Sequence, residues 1–348
     1  MNLNFQRVIQ ASDAERRGLF FATATRLGTA VQHVEKDFWV CWVLDALFNG
    51  LPAEGPRLLF KGGTSLSKSF GLISRFSEDI DITVFRHDIG EAIEASTLHA
   101  MSGKQRRIRL NRIRDACQQY IAEVMALHLD EIAARVMPVG HFRVELDLED
   151  PDRQTLLFWY PAVTTVEGGY IRSAVKIEAG AKSALDPHAT ATVVPYIADD
   201  LPYLDMAVRN VTTVKPERTF WDKIIILHGV RQWHDRRGEL RQGGQRVSRH
   251  FYDIHRLLQH PEIDIWLANQ HLAQDCALHA RLFFGSGDLG LELAARGSYT
   301  LVPSLPMSES LERDYAAMGG MVFGALPEIH DVLQSIDALE RRLNAREG

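Results

Sequence analysis

Two aspartates in one short apolar segment are the first candidates for chemistry. Asp79 and Asp81 alternate with apolar residues over positions 79–84, and in a β-strand this alternation would point both carboxylates to one face of a sheet. Their backbone positions would then lie about 6.5 to 7 Å apart, so the side chains could share divalent cations such as Mg²⁺ or Mn²⁺. Such cations hold triphosphate oxygens and neutralise charge that develops in an in-line displacement. The pair therefore predicts metal ligands, and the alternative is a solvated sheet face without chemistry.

A third carboxylate on a neighbouring strand would complete such a metal site. Glu178 is the best-placed candidate, because it alternates with Val175 and Ile177 in a second strand-like segment. Asp147, in the alternating segment 142–148, is the second candidate.

A glycine pair ahead of the aspartates could bind phosphate. Gly62 and Gly63 stand between a short apolar segment and a predicted helix, where backbone N–H groups are available to an anion. Lys61, Thr64 and Ser65 could add contacts to the phosphates of a nucleotide. The glycine pair and the aspartates support each other as parts of one nucleotide site.

Two other glycine-containing patterns are weaker. Segment 62–69 departs from a Walker A sequence because Ser67 stands where a glycine must let the loop curl around phosphates. Segment 285–290 has GxGxxG spacing but lacks the strand–turn–helix context that gives those glycines their function. We predict that the first is not a P-loop and that the second is a loop between helices.

One lysine and one aspartate in the C-terminal half could take part in the same chemistry. Lys223 shares a predicted helix face with Phe220 and Leu227, and a buried lysine requires an anionic partner. A bound triphosphate is the favoured partner, and a structural carboxylate is the alternative. Asp253 could position Lys223 or the acceptor, or it could form an ion pair on a helix surface.

Basic residues are clustered in two places. The first cluster comprises Lys104, Arg106, Arg107, Arg109, Arg112 and Arg114, and the second comprises Arg236, Arg237, Arg241 and Arg246 in a stretch predicted to be a mobile loop. These residues could form a track for the backbone of an acceptor RNA. A solvated helix face is the favoured interpretation of the first cluster.

Apolar periodicity predicts the elements that must position these residues. Helices are expected from Val31 to a C-cap at Gly50, over 64–72 with Thr64 as N-cap, and from Lys104 to about Ala134 with Val124 on the buried face. Strands are expected at 58–60, 79–84, 142–148 and 175–178. From Pro216 the pattern is helical, including 253–259 and 329–343. We therefore predict a core over residues 1–205 and a helical domain over 206–348 that contributes Lys223 and Asp253.

Length and composition limit the class of protein. The 348 residues are 46% hydrophobic and 24% charged, as in a globular protein of two domains, and a net charge of -6 argues against indiscriminate nucleic-acid binding. Cys41, Cys117 and Cys276 lie far apart and are predicted to be buried thiols. Without a long apolar run or a signal-like start, a cytoplasmic protein with no membrane segment is expected.

Several of these segments together resemble the AbiEii/AbiGii toxin family of nucleotidyltransferase-like proteins. The resemblance begins with Glu35-Lys36-Asp37 and is most specific at 61–66 and 75–82, the segments of the glycine pair and the aspartates. It continues through 175–178, 216–223 and 249–254, in the order of the family motifs. About two-thirds of the chain, from Glu35 to Leu258, is covered.

The resemblance implies a fold, a reaction and site residues. The fold would be α+β, with a DNA polymerase β-like nucleotidyltransferase core, a small mixed sheet flanked by helices, and a C-terminal helical domain. The enzyme would use Mg²⁺ and a nucleoside triphosphate in a toxin–antitoxin or phage-defence system. Asp79 and Asp81 would be metal ligands with Glu178 as third acid, Lys223 a triphosphate contact and Asp253 its catalytic partner.

The acceptor and the partner proteins stay open at this level. The acceptor would be a hydroxyl of tRNA, another RNA or a protein, and a cognate antitoxin would be a partner. One alternative is a nucleotide-binding regulator that acts through a protein partner. Another is an enzyme that moves the γ-phosphate onto a protein.

Overall fold

The protein folds as two compact units. The computed structural model describes residues 1–164, 173–240 and 246–345. The first unit comprises Met1–Phe70, Phe76–Ile93 and Met101–Val214, and the second comprises Gly71–Arg75, Glu94–Ala100 and Lys215–Gly348. The two-domain assignment with its boundary near residue 205 stays a prediction.

The first unit contains helices and one sheet, and the described residues of the second unit form helices and their connections. The helices are α1 (Asn4–Ile9), α2 (Asp13–Leu27), α3 (Val31–Asn49), α4 (Gly62–Lys68), α5 (Ala95–Ala100), α6 (Gly103–Tyr120), α7 (Ala126–Ala134), α8 (Pro216–Arg237), α9 (Ser248–Leu257), α10 (Ile263–Ala268), α11 (Gln270–Phe283), α12 (Leu305–Met318) and α13 (Ile329–Asn344). The strands are β1 (Leu58–Lys61), β2 (Asp79–Val84), β3 (Arg143–Leu146), β4 (Thr155–Trp159), β5 (Ala174–Gly180), β6 (His188–Val193) and β7 (Val208–Val214).

The first unit is built on a mixed sheet in the order β3-β4-β5-β2-β1-β7-β6. β2 pairs antiparallel with β1 and parallel with β5, so it lies in the middle of the sheet. β1 also pairs in parallel with β7, which follows residue 205 and precedes α8. The apolar helix α3 packs against this sheet. The predicted α+β class, with a mixed sheet flanked by helices, is confirmed.

The predicted start of α4 is wrong by two residues. The helix begins at Gly62 rather than Thr64, and Lys61 is its N-cap. The hydroxyl of Thr64 is instead directed across to the next strand segment, where it donates to the carbonyl oxygen of Asp79. A tertiary hydrogen bond therefore takes the place of the predicted cap.

The predicted long helix is interrupted by a change of helical pitch. α6 and α7 are joined by a π-helical turn at Ile121–Met125. Each π-helical turn has a wider hydrogen-bonded loop than an α-turn, so the faces of residues beyond it are rotated. Met125 is buried and Val124 is 38% exposed, so the prediction that Val124 lies on the buried face is wrong. The strand predicted to reach Leu148 ends at Leu146, and Leu148 is exposed.

The second unit is helical apart from short connections. α8 begins at Pro216, as predicted, and packs against α9 and α11. Its indole donor at Trp221 reaches the carbonyl oxygen of Trp266, which keeps a buried N–H satisfied. None of the helices in the described parts of the chain has both the length and the apolar character needed to cross a membrane.

Helix α3 carries charged residues inside an otherwise apolar sequence. Glu35, Lys36 and Asp37 are 2%, 4% and 3% exposed. A buried charge is costly unless it is paired and hydrogen-bonded. Asp37 meets this requirement through Lys68 of α4, whose Nζ lies 2.6 Å from its carboxylate, and through the backbone N–H of Tyr196. Burial raises the pKa of Asp37, and Lys68 opposes that effect.

The Asp37–Lys68 pair gives a stability prediction. Replacing Asp37 by asparagine leaves the buried Lys68 ammonium without its counter-charge, so the free energy of unfolding should fall by about 3–5 kcal/mol. Urea denaturation followed by circular dichroism measures this change. As a control, Arg209→Met removes the exposed ion pair of Arg209 with Asp205 and should leave stability nearly unchanged. Equal effects of the two changes would contradict the role assigned to burial.

Candidate active site

The paired aspartates lie on one acidic face of the sheet. Asp79 and Asp81 are the first and third residues of β2, both half-buried, while Ile80 and Ile82 point into the core. The parallel register with β5 places Lys176 beside Asp79 and Glu178 beside Asp81. Neighbouring strands are about 4.8 Å apart. The sheet therefore aligns the predicted third acid with the aspartate pair.

Two of the carboxylates on this face form ion pairs with lysines. The Nζ of Lys176 lies 2.7 Å from Glu178, and the Nζ of Lys61 lies 3.7 Å from Asp81. Burial lowers the pKa of Lys176, but the carboxylate of Glu178 and the charges of Asp79 and Asp147 outweigh it and raise that pKa overall. The face is thus negative enough to stabilise a cation.

The glycine pair permits a close approach of Asp81 to the start of α4. Gly62 has a φ of +79°, and a Cβ built on it would lie 2.1 Å from an oxygen of Asp81. Only glycine leaves this space free and adopts this backbone conformation without strain. The side chains of Thr64 and Ser65 are buried, and the Ser65 hydroxyl donates to the carbonyl oxygen of Gly62.

The donors on this face fit a divalent cation in part. Carboxylate oxygens are the ligands that Mg²⁺ and Mn²⁺ prefer, and Asp79 and Asp81 project from the same side of one strand. Among the described residues, however, no group of three or more acidic, histidine or cysteine side chains is gathered closely enough to hold a metal. Glu178 is turned to Lys176, so its role as third ligand stays a prediction.

A second cluster of charges lies within the second unit. Asp253 of α9 is fully buried, and its two carboxylate oxygens accept from Arg75, at 2.8 and 2.9 Å, in a bidentate pair. The Nζ of Lys223 from α8 lies 2.8 Å from the same carboxylate. Two cations share one buried anion, which keeps both of them in place.

The environment shifts the pKa values of this cluster in opposite directions. Burial would raise the pKa of Asp253, but the charges and hydrogen bonds of Arg75 and Lys223 hold it well below its usual range. Burial lowers the pKa of Lys223, and Asp253 offsets only part of that effect. Burial, Lys223 and Arg249 also hold the pKa of His250 well below its ordinary value. His250 is therefore neutral at pH 7.

Comparison with known proteins decides the family. A model of the family described as "Nucleotidyl transferase AbiEii toxin, Type IV TA system" matches residues 45–342. The chain belongs to the AbiEii nucleotidyl transferase toxin family. It is thus an enzyme of the nucleotidyltransferase class and a toxin of a type IV toxin–antitoxin system, which implies a nucleoside triphosphate substrate and an antitoxin.

The other comparisons add little to the family match. Among solved structures, the chain is similar to MenT4, a nucleotidyltransferase toxin from Mycobacterium tuberculosis H37Rv, at 14% identity with a TM-score of 0.42. The similarity covers 94% of this chain and 99% of MenT4. No curated protein matches the sequence significantly.

For this AbiEii toxin, the structure shows one of the two anionic partners considered for Lys223. The Nζ of Lys223 contacts the carboxylate of Asp253, and the contact with a triphosphate stays a prediction. Asp253 is buried, so the alternative of a helix-surface ion pair is excluded. Arg75 is the second partner of Asp253 and was not predicted from the sequence. In the sequence, Arg75 is a charged residue directly ahead of segment 76–84, and this position alone does not identify the partner of its side chain.

The structure shows where several residues of the two basic clusters lie. Arg236 and Arg237 are the last residues of α8, so the loop predicted over 236–246 is wrong at these two positions, and residues 241–245, including Arg241, lie outside the described residues. On α6, Arg109 and Arg112 both pair with Glu91. Arg114 pairs with Asp115, so at least three of the six basic residues are partly neutralised. The role of the cluster in RNA binding stays a prediction.

The three cysteines and segment 285–290 are placed as predicted. All three cysteines are buried free thiols, as predicted. Segment 285–290 lies between α11 and α12 and contains a short 3-10 turn at Gly287–Leu289, so the predicted loop between helices is confirmed.

The contact between Gly62 and Asp81 gives a prediction about glycine. Gly62→Ala and Gly90→Ala both introduce a Cβ at positive φ, +79° and +75°, but only the first meets another side chain. Each should lose about 1 kcal/mol of stability from backbone strain. Gly62→Ala should lose a further amount of about 1–3 kcal/mol because Asp81 must move. Urea denaturation of both variants tests this, and equal losses would show that Asp81 does not need the space.

The neutral state of His250 gives a pH prediction. The folded protein binds no proton at His250, whereas the unfolded chain takes one up below about pH 6.5. Stability contributed by this residue is therefore present above pH 6.5 and lost as pH falls, by about 1.4 kcal/mol per pH unit. His250→Asn should flatten the dependence between pH 6.5 and 5, and the exposed control His330→Asn should not. Identical slopes in the wild-type protein and His250→Asn would refute the assignment.

Proposed function

We propose that this AbiEii toxin transfers a nucleoside monophosphate from a nucleoside triphosphate to an acceptor hydroxyl. The observation that carries the proposal is the pair Asp79 and Asp81 on one face of β2, with Asp81 in close contact with Gly62. Paired carboxylates beside a glycine turn suit a metal–triphosphate complex better than a simple metabolite.

In the proposed reaction the acceptor oxygen attacks the α-phosphorus. The bond between that phosphorus and the bridging oxygen breaks, pyrophosphate leaves, and the hydroxyl proton is released. Bound Mg²⁺ or Mn²⁺ would supply charge neutralisation of the phosphate oxygens. Asp79 and Asp81 would hold the cation, and Glu178 would join them after leaving Lys176.

The glycine turn and its neighbours would bind the triphosphate. Gly62 lets the Asp81 carboxylate approach the start of α4, where backbone N–H groups of the turn would be available to a phosphate. Lys61 is 28% exposed and lies near Asp81, so its ammonium is placed to contact an anionic oxygen. The buried hydroxyls of Thr64 and Ser65 already serve the backbone, which makes them supports of the turn.

Lys223 and Asp253 have separate proposed roles. Lys223 would contact the triphosphate, and Asp253 would keep its ammonium oriented and charged through their 2.8 Å contact. Arg75 would serve Asp253 as its second cation. Lys223→Met, compared with Lys223→Arg, tests whether the cation acts on the nucleotide, through its effect on KM for the triphosphate.

The acceptor and setting are proposed more coarsely. An RNA acceptor such as tRNA would be attracted by exposed α6 residues such as Lys104 and Arg107, which add positive charge to an acidic protein. The toxin would act in the cytoplasm, in phage defence, under control of its cognate antitoxin.

Transfer from α-labelled triphosphate is the deciding experiment. With total RNA and protein as acceptors and Mg²⁺ present, label should move from the α-position and not from the γ-position. Asp79→Asn and Asp81→Asn should each lower the rate by about a hundredfold or more, since metal binding at a developing charge contributes several kcal/mol. Asp88→Asn, which removes an aspartate beyond the other end of β2, is the matched control.

Other outcomes would point to other functions. Transfer of γ-label to protein would identify a phosphotransferase. Magnesium-dependent triphosphate binding without any turnover, together with toxicity that Asp81→Asn does not reduce, would identify a nucleotide-binding regulator.

A further inference from the structure

The segment that leads into β2 is held by helix α3. His33 of α3 stacks on the ring of Phe76, with 4.3 Å between ring centroids and 23° between planes. One turn further along α3, the Nζ of Lys36 lies 2.5 Å from the carboxylate of Glu78. Residues three apart on a helix lie on the same side. One face of α3 therefore contacts this segment at two residues, Phe76 and Glu78.

The segment that α3 contacts is followed directly by Asp79, the predicted metal ligand. Glu78 precedes Asp79 in the chain, and the carbonyl oxygen of Asp79 accepts from the Thr64 hydroxyl. The oxygen of the same hydroxyl lies 2.8 Å from the Ser77 hydroxyl, which donates to it because the Thr64 proton is already used. Phe76, Ser77, Glu78 and the backbone of Asp79 are therefore each fixed by a different contact.

Burial makes the Lys36–Glu78 contact more than a surface ion pair. The Lys36 side chain is 4% exposed and that of Glu78 is 18% exposed. Lys36 is buried on α3 between Glu35 and Asp37, and removing Glu78 would take a close counter-charge away from a buried ammonium. An exposed ion pair samples many side-chain geometries, and burial of Lys36 restricts those of this pair.

We propose that Lys36 is a positioning residue that sets the place of Asp79 by holding Glu78. The proposal rests on the proposed function in assigning metal binding to Asp79 and Asp81. Lys36 does not touch the reacting atoms. Its loss lets the start of β2 shift, and a misplacement of about 1 Å at a reacting group costs up to a hundredfold in rate.

A positioning role predicts a specific pattern of defects. Lys36→Met should weaken Mn²⁺ binding about tenfold or more and lower kcat by about ten- to a hundredfold, with KM for the triphosphate nearly unchanged. Glu78→Gln should have the same pattern because it removes the other half of the contact. Lys36→Arg keeps the charge and the reach, so it should retain most of the wild-type behaviour.

Two controls separate positioning from general loss of stability. Val43→Ala removes core volume on the same helix, where Val43 is fully buried, without touching the 76–79 segment. Arg57→Met breaks the ion pair between Arg57 and Asp88, which lies at the opposite end of the β1–β2 pair. Both variants should keep wild-type Mn²⁺ affinity at temperatures where they are folded.

The experiment combines Mn²⁺ titration by electron paramagnetic resonance, hydrogen exchange of peptides that span 76–82, and α-label transfer. Faster exchange and weaker Mn²⁺ binding in Lys36→Met, but not in Val43→Ala, support the proposal. Wild-type exchange and Mn²⁺ affinity in Lys36→Met, or equal defects in Val43→Ala, overturn it. If the wild-type protein transfers no nucleotide while Lys36→Met still alters exchange and Mn²⁺ binding, the proposed function fails and the positioning role stands.

Discussion

The burial of charge on helix α3 is the constraint on which the first unit depends. Glu35, Lys36 and Asp37 follow one another in an apolar helix, and a helix turns about 100° per residue, so they point in different directions. Each must find its own partner in a different part of the chain. Glu35 accepts from the backbone of Val163 and Thr164, and the other two bind segments around the glycine turn and β2. The helix thereby joins parts of the chain that no local interaction would bring together.

On the acidic face of the sheet, lysines offset part of the negative charge of the carboxylates. Aspartates beside each other repel, and here Lys61 and Lys176 reduce that repulsion from within the same face. The ammonium groups of Lys61 and Lys176 lie beside carboxylates, and in these positions they are also placed to contact a phosphate. The arrangement is thus stable as it stands and suited to a metal–nucleotide complex, and Gly62 provides the space beside Asp81.

In the second unit, one buried carboxylate is paired with two cations instead of one. Asp253 is buried with two cations, Arg75 and Lys223, so the cluster carries net positive charge. Burial lowers the pKa of His250, and the positive charge of Lys223 adds to this effect, so the ring is neutral. Arg75 belongs to this unit although the next residue, Phe76, belongs to the first. The chain therefore passes from one charge cluster to the Lys36–Glu78 contact within four residues.

The sequence alone determined the features that depend on neighbours in the chain. Alternation showed that Asp79 and Asp81 share one face, and the glycine pair and the family motifs indicated the enzyme class. The tertiary structure decided which strand lies beside β2, that Glu178 pairs with Lys176, and that Lys223 meets Asp253. Strand register and the partners of buried charges join residues far apart in the chain, so they depend on how the whole unit packs and leave no local pattern to detect.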